Sequence, residues 1–305
     1  MRIDKREKYA ETMTLNGIDT LSGYVSSKVK DIPMNVKVNI KQCNYQTKKE
    51  KTYLLINPNK KTDKQEKLIT KYSVFVERMN EILNAVGHDL EDYDIIRCDF
   101  CFNSRDVDSY KDYQKLHRLI LSCLAKAYAY ENCYVSCNLW DYQRLSIAIK
   151  KDDSEAENYD KKRESAGKDE SANRLELRSK RMSGTTIEYQ FMTKWFDRLE
   201  KARKQFKNVQ MEANYHLERL YKKDLAKPKK ERDYLSLTAF LLQYKESVYC
   251  RGQMIDLLSR FDEVKNPSKR ADRFKENHKI EYFNQTDLNR IIDVLKHKTE
   301  EYFNS

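Results

Sequence analysis

A chain of 305 residues, 39% of them hydrophobic, can build one large core or two modest ones, and its apolar periodicity persists through most of its length, which excludes a disordered chain. Charged residues make up 35% and the formal net charge is +11, favouring polyanionic partners, nucleic acid first and an acidic membrane surface second. The competing reading is a basic protein whose lysines only keep it soluble. No apolar run approaches the ~18 residues of a transmembrane helix, and the opening MRIDKREKYAETM lacks the apolar stretch of a signal peptide, so a cytoplasmic protein with no membrane partner is expected.

Residues 1 to about 33 read as polar and turn-rich, with weak alternation from Leu21 to Val29. Asn35 to Gln42 alternates cleanly with Val36, Val38 and Ile40 on one face, Lys51 to Ile56 supplies a second strand, and Asn57-Pro58-Asn59 turns the chain into the basic loop of Lys60, Lys61 and Lys64. From Asp63 to Val86 the period becomes helical, with Leu68, Tyr72, Phe75, Met79, Leu83 and Val86 in a stripe and Gly87 as C-terminal cap. Ile95 to Asn103 is a strong strand, with Ile96, Cys98, Phe100 and Phe102 on one face and Arg97, Asp99, Cys101 and Asn103 on the other. A helix from Tyr110 to Tyr130 and strands at Cys133 to Trp140 and Leu145 to Lys150 follow.

The stretch from Glu155 to Met182 then carries two extended runs around a Gly-containing turn. Glu155, Glu157 and Tyr159 share one face of the first run. Arg174, Glu176 and Arg178 share one face of the second, opposite Leu175 and Leu177. Amphipathic helices from Thr185 to about Phe206 and from about Val209 to Ala226 come next, and Lys227-Pro228-Lys229-Lys230 is the clearest linker. Beyond it the periodicity is helical over Leu235 to Val248, Gln253 to Phe261, Ser268 to His278 and Gln285 to Phe303, with Asn284 to Asp287 as a helix start. The fold class expected is α+β: an antiparallel or mixed sheet core with flanking helices over 1–226, then an all-helical region over 227–305.

Several chemistries drop out. There is no GxxxxGK[ST] phosphate loop, no GxSxG elbow and no HxH pair among the five histidines. The seven cysteines lack finger spacing, and Cys98 and Cys101 would face opposite sides of one strand; a zinc site with Cys133 and Cys137 competes with buried free thiols. What remains is oxygen chemistry. Tyr159 stands out among 21 tyrosines because Glu155 and Glu157 share its face and Lys161 and Lys162 follow it; a nucleophilic phenol needs cations or a metal to favour its phenolate. Asp99 and Glu176 sit on strands with apolar opposite faces, where a carboxylate must be paired or ligated. Either they pair with arginines, Asp99 with Arg97 or Arg144 and Glu176 with Arg174 or Arg178, or they hold a hard divalent cation beside a phosphate.

In their order along the chain, Asp99 in IIRCDFCFN, Tyr159-Asp160-Lys161 with Glu164, and the R-x-E-x-R run of Arg174, Glu176 and Arg178 resemble the replication initiation factor family of rolling-circle plasmids and conjugative transposons, the initiators and relaxases without a two-histidine motif. The resemblance covers about residues 35 to 205. It implies a metal-dependent DNA nicking and joining enzyme in which Tyr159 attacks single-stranded or extruded origin DNA, leaving a 5′-phosphotyrosyl link and a free 3′-OH. It also implies Mg²⁺ or Mn²⁺ on Asp99 and Glu176, with Lys161 and Arg178 neutralising the phosphate and Glu157 completing the metal shell or accepting the phenol proton.

On this reading the basic helical residues Arg203, Lys204, Lys207, Arg219, Lys222 and Lys223 would grip duplex DNA, with a merely solvated helix face as the alternative. The last two helices would form a helix-turn-helix-like pair presenting Lys269, Arg270, Arg273 and Lys275, with helical packing or homodimerisation as the alternative, and a host helicase would be a further partner. Two competing functions stay open: a non-catalytic DNA-binding regulator of a mobile element, and a metal-dependent nuclease that uses water.

Overall fold

A computed structural model describes residues 13, 15–26, 36–43, 50–62, 65–66, 68–104, 109–128, 134–135, 146–165 and 173–305. Eight strands form one antiparallel sheet, with a helical C-terminal region following it: an α+β fold, as the periodicity implies. The strands are β1 (Leu15–Val25), β2 (Val36–Cys43), β3 (Glu50–Ile56), β6 (Asp94–Ser104), β7 (Tyr134–Val135), β8 (Ser146–Lys150), β9 (Ser154–Tyr159) and β10 (Asn173–Lys180), in the spatial order β2-β3-β1-β6-β10-β9-β8-β7. A separate hairpin pairs β4 (Lys60–Thr62) with β5 (Gln65–Glu66).

Alternation decides which face of the sheet is covered. Cys98, Phe100 and Phe102 of β6, Leu175 and Leu177 of β10, and Ala156 of β9 are buried together with Ile18 and Leu21 of β1. Against them pack α1 (Tyr72–Ala85), α2 (Ser109–Ala127), α4 (Ile187–Tyr189) running through a π turn into α5 (Phe196–Arg203), and α10 (Gln285–Phe303). Phe100 is the hub: its ring lies 5.1 to 5.8 Å from Phe102, Phe191, Tyr302 and Phe303. Trp195 in the π turn reaches back to donate its Nε1–H to Ser179 Oγ at 3.0 Å.

Two departures from the sequence reading bear on the site. Leu15–Val25, within the stretch expected to be turn-rich, forms an 11-residue strand near the middle of the sheet. Its alternation is masked by a bulge: Ile18 pairs with Phe100 and Thr20 with Asp99, which leaves Asp19 as the extra residue. The helix expected from Asp63 begins at Tyr72. Ahead of it the chain is pinned by Asn59, whose side chain accepts Ile69 N–H at 2.8 Å and donates to the carbonyls of Ile18 and Asp19. Gly17 permits this approach, since a Cβ there would fall 2.3 Å from the Ile69 carbonyl oxygen.

Beyond the sheet, α6 (Phe206–Leu225) leads into α7 (Leu237–Gln243), α8 (Arg251–Ser259) and α9 (Pro267–His278). These build a second apolar cluster from Leu217 and Tyr221 on α6 through Phe240, Leu257 and Phe274 to Ile280. The Lys227–Pro228 link inside it is tied down: Asp224 accepts the backbone N–H groups of Asp233 and Tyr234 and pairs with Lys227. The expected pairing of the last two helices is not what forms. α9 packs on α8, whereas Leu288, Ile291, Ile292 and Leu295 of α10 enter the sheet's core. Asn284 caps α10 in a reciprocal capping box with Asp287.

Candidate functional site

The face of the sheet opposite the Phe100 core gathers charge. Antiparallel register sets Arg174 beside Tyr159, Glu176 beside Glu157 and Arg178 beside Glu155 on β9, and sets the same three residues beside Asn103, Cys101 and Asp99 on β6. Because residues directly opposite share a face, side chains far apart in sequence are stacked into one patch.

Tyr159 sits at one end. Its hydroxyl donates to Glu176 Oε2 at 2.9 Å and accepts from Arg174 Nη1 at 3.4 Å. Arg174 is buried and also donates to Asn103 Oδ1 at 2.7 Å and to Asp19 Oδ1 at 2.9 Å. Lys161 opens the one-turn helix α3 (Lys161–Glu164), where Asp160 caps the Arg163 N–H; its ammonium pairs with Glu164 at 2.9 Å and stands 5.9 Å from the Tyr159 ring centroid. Arg178 sits at the other end and serves three carboxylates: Asp99 at 3.0 Å, Glu155 at 2.7 Å, and Glu176. Arg97 closes the second oxygen of Asp99 at 2.9 Å, and Lys180 and Lys150 flank Glu155 at 2.7 and 3.3 Å.

The electrostatics follow from burial among alternating charges. Burial, then the Asp99 charge, push Glu176 up to about 7 against the pull of Arg178. Burial and the Glu176 charge raise the Tyr159 hydroxyl above the ordinary phenol value, so the resting phenol is protonated. Burial would raise Glu155 as well, but Lys180 and Arg178 hold it down to about 2. Burial would raise Asp19 too, but the Arg174 and Lys161 charges and the hydrogen bonds from Arg174 and Thr20 together hold it below the ordinary carboxylate value.

The expected residues are therefore brought together, in part with different partners. Tyr159, Glu176, Arg178 and Asp99 form one hydrogen-bonded chain, and the phenol's acceptor is Glu176, not Glu157. Glu157 shares the face and has no ion-pair partner among the described residues. Of the two readings of the carboxylates, arginine pairing is the one that forms: Asp99 with Arg97 and Arg178, Glu176 with Arg178. Arg144 lies outside the described residues. As arranged, the donor set does not fit a divalent ion, because the Arg178 guanidinium stands where Asp99 and Glu176 would share it, and among the described residues no three Asp, Glu, His or Cys side chains converge to hold one. Cys98 and Cys101 are buried free thiols; Cys133 and Cys137 lie outside the described residues.

Asp19 and Lys180 join the site beside the expected residues, and Glu155, expected only as a neighbour of Tyr159 on its face, pairs with Arg178, Lys180 and Lys150. Glu155 and Lys180 were visible through the alternation of their strands. Asp19 was hidden, because a bulge breaks the period that would have shown its strand.

The basic helical residues divide. Arg203 is held by Asp293 and Glu200, and Lys222 by Glu218. Lys204, Lys207, Arg219 and Lys223 are exposed with no ion-pair partner among the described residues. Lys207, Arg219 and Lys223 flank Met211 and Tyr215 on the outer face of α6, where Tyr215 is 65% exposed. Lys269, Arg270, Arg273 and Lys275 project from α9 and are exposed. Among the described residues no helix is long and apolar enough to cross a membrane. No family model matches the chain, and no curated protein matches its sequence.

Proposed function

We propose that this chain nicks and rejoins DNA through Tyr159, as an initiator of rolling-circle replication or conjugative transfer. The observation that carries the reading is the hydrogen bond from the Tyr159 phenol to a carboxylate held near 7. A resting phenol with a raised proton affinity is a poor nucleophile unless its proton has somewhere to go, and Glu176 is the group in position to take it. The Tyr159 oxygen would attack the scissile phosphorus as its proton passes to Glu176 Oε2. The P–O3′ bond breaks, the 3′ oxygen leaves and takes a proton from solvent, and a 5′-phosphotyrosyl link remains. Arg174, 3.4 Å from the attacking oxygen, would neutralise charge on the phosphate, with Lys161 beside the ring. Asp99 and Glu176 would hold Mg²⁺ or Mn²⁺ only with the Arg178 guanidinium displaced. The resemblance of the three motifs and the +11 charge agree with a DNA substrate.

One observation favours a second reading, a non-catalytic DNA-binding regulator: Asp99, Glu155 and Glu176 are all closed by the same guanidinium, as in a structural ion-pair network. A denaturing gel separates the two. The protein would be incubated with labelled single strands from its neighbouring DNA, with Mg²⁺, with Mn²⁺ and with EDTA. A band that survives SDS and maps to Tyr159 supports nicking and joining, and its dependence on metal tells whether Arg178 yields. Retarded native complexes with neither cleavage nor adduct support the regulator. Cleavage without an adduct would mean that water, not Tyr159, is the nucleophile.

A further inference from the structure

The helical cluster contains an open cavity of about 350 Å³ between Thr238 on α7 and one side of α9. Lys269, Arg273 and Asn277 recur every fourth residue along one ridge of α9, and Arg270, Phe274 and His278 along the next. Among the described residues no carboxylate lines the cavity. The two acidic residues of α9, Asp272 and Glu276, lie outside the lining, and Asp272 is taken by Arg251 at 2.7 Å. Other cations of this cluster are closed in the same way, Arg260 by Asp256 and Glu218, and Lys227 by Asp224 and Asp233. Lys269 and Arg273 have no ion-pair partner among the described residues, and Arg270 donates to the Thr238 hydroxyl at 3.3 Å.

We infer that this cavity binds the phosphate backbone of duplex DNA, at a site separate from the Tyr159 patch and independent of the nicking reading. Three arguments carry it. Cations left unpaired around a concave surface are a demand for anions, and the cavity is many times the ~30 Å³ share of one water. The lining from Lys269 to His278 is about 13 Å long at ~1.5 Å per residue, and its three cations, Lys269, Arg270 and Arg273, spread over the first ~6 Å of it, enough to face two phosphates advancing ~3.4 Å apiece along the duplex axis and more than one small anion needs. Among the described residues the cavity also presents no exposed aromatic platform on which single-stranded bases stack: the Phe274 ring is buried, with the His278 ring packed 4.7 Å from it.

The test is fluorescence anisotropy with the full chain, a short labelled duplex of arbitrary sequence and a single strand of equal length, over a range of salt. Lys269→Ala with Arg273→Ala should lower the slope of log affinity against log salt by about 2 and weaken duplex binding on the order of tenfold. Both residues are exposed, so the melting temperature should not change. A Lys229→Ala, Lys230→Ala control removes two exposed cations outside the cavity and should leave the slope in place. An unchanged slope in the cavity variant, or an equal loss in the control, would overturn the assignment. So would displacement of the duplex by micromolar inorganic phosphate or nucleoside triphosphate, or a loss confined to the single strand.

Discussion

Tyr159 and Glu176 meet across neighbouring strands, phenol to carboxylate at 2.9 Å, with Glu176 pushed up to about 7 by burial and the Asp99 charge. If Glu176 takes the phenol's proton, only its ionised form works. Adduct formation should rise about tenfold per pH unit below ~7 and level off above it, and Glu176→Gln should flatten and depress the profile by about two to four orders of magnitude. A single-turnover rate series between acid and mild alkali checks this.

For stability the sign of the same group is opposite. A carboxylate raised in the folded state favours folding most fully below its unfolded value near 4.5, and that contribution is lost as pH rises through about 7. Glu176→Gln, which keeps a neutral acceptor for the phenol, should therefore melt higher than the parent at mildly alkaline pH and show little gain near pH 5. Melting curves at the two pH values test it.

Tyr159→Phe should abolish the covalent protein–DNA species while changing DNA affinity less than about twofold, since one buried hydroxyl contributes little to a phosphate-dominated interface. A persistent adduct would move the nucleophile elsewhere.

Arg178 closes Asp99, Glu155 and Glu176 together. Arg178→Met leaves three carboxylates without their shared cation and should cost about 3 kcal/mol or more, read from urea unfolding. Added Mn²⁺ should recover part of that loss if the three oxygens can close on an ion once the guanidinium is gone; calorimetry on the variant measures it.

Glu155 is held at about 2 by Lys180 and Arg178, so its contribution is present above the unfolded value near 4.5 and is lost as pH falls toward 2. Replacing it with Gln should flatten the acid limb of the stability curve over that interval while leaving Lys180 and Lys150 in mutual repulsion at every pH.

Much of this was legible. β6, β9 and β10 alternate without interruption, so their charged faces could be assembled from period alone, and the helices around Phe75, Leu119 and Leu288 announce themselves by spacing. What stayed hidden needs partners distant in sequence. The bulge at Asp19 shows only in how β1 pairs with Phe100 and Asp99, and the chain ahead of α1 is held by Asn59 reaching Ile69. The choice between ligand and ion-pair roles for Asp99 and Glu176 depended on where one arginine side chain swings, which no pattern of spacing records.

The route of the chain has a consequence for its dissection. It leaves the sheet along α6, whose first turns lie in the core of the sheet and whose last turns lie in the helical cluster, and it comes back through Phe283, whose N–H bonds the Tyr249 carbonyl, into α10. The cluster is thus an insert with two tethers, not an appended tail. A stop codon at its far border would take α10 from beneath Phe100 and unfold the part meant to be kept. Separating the two halves for study therefore calls for cutting out the middle and rejoining the ends.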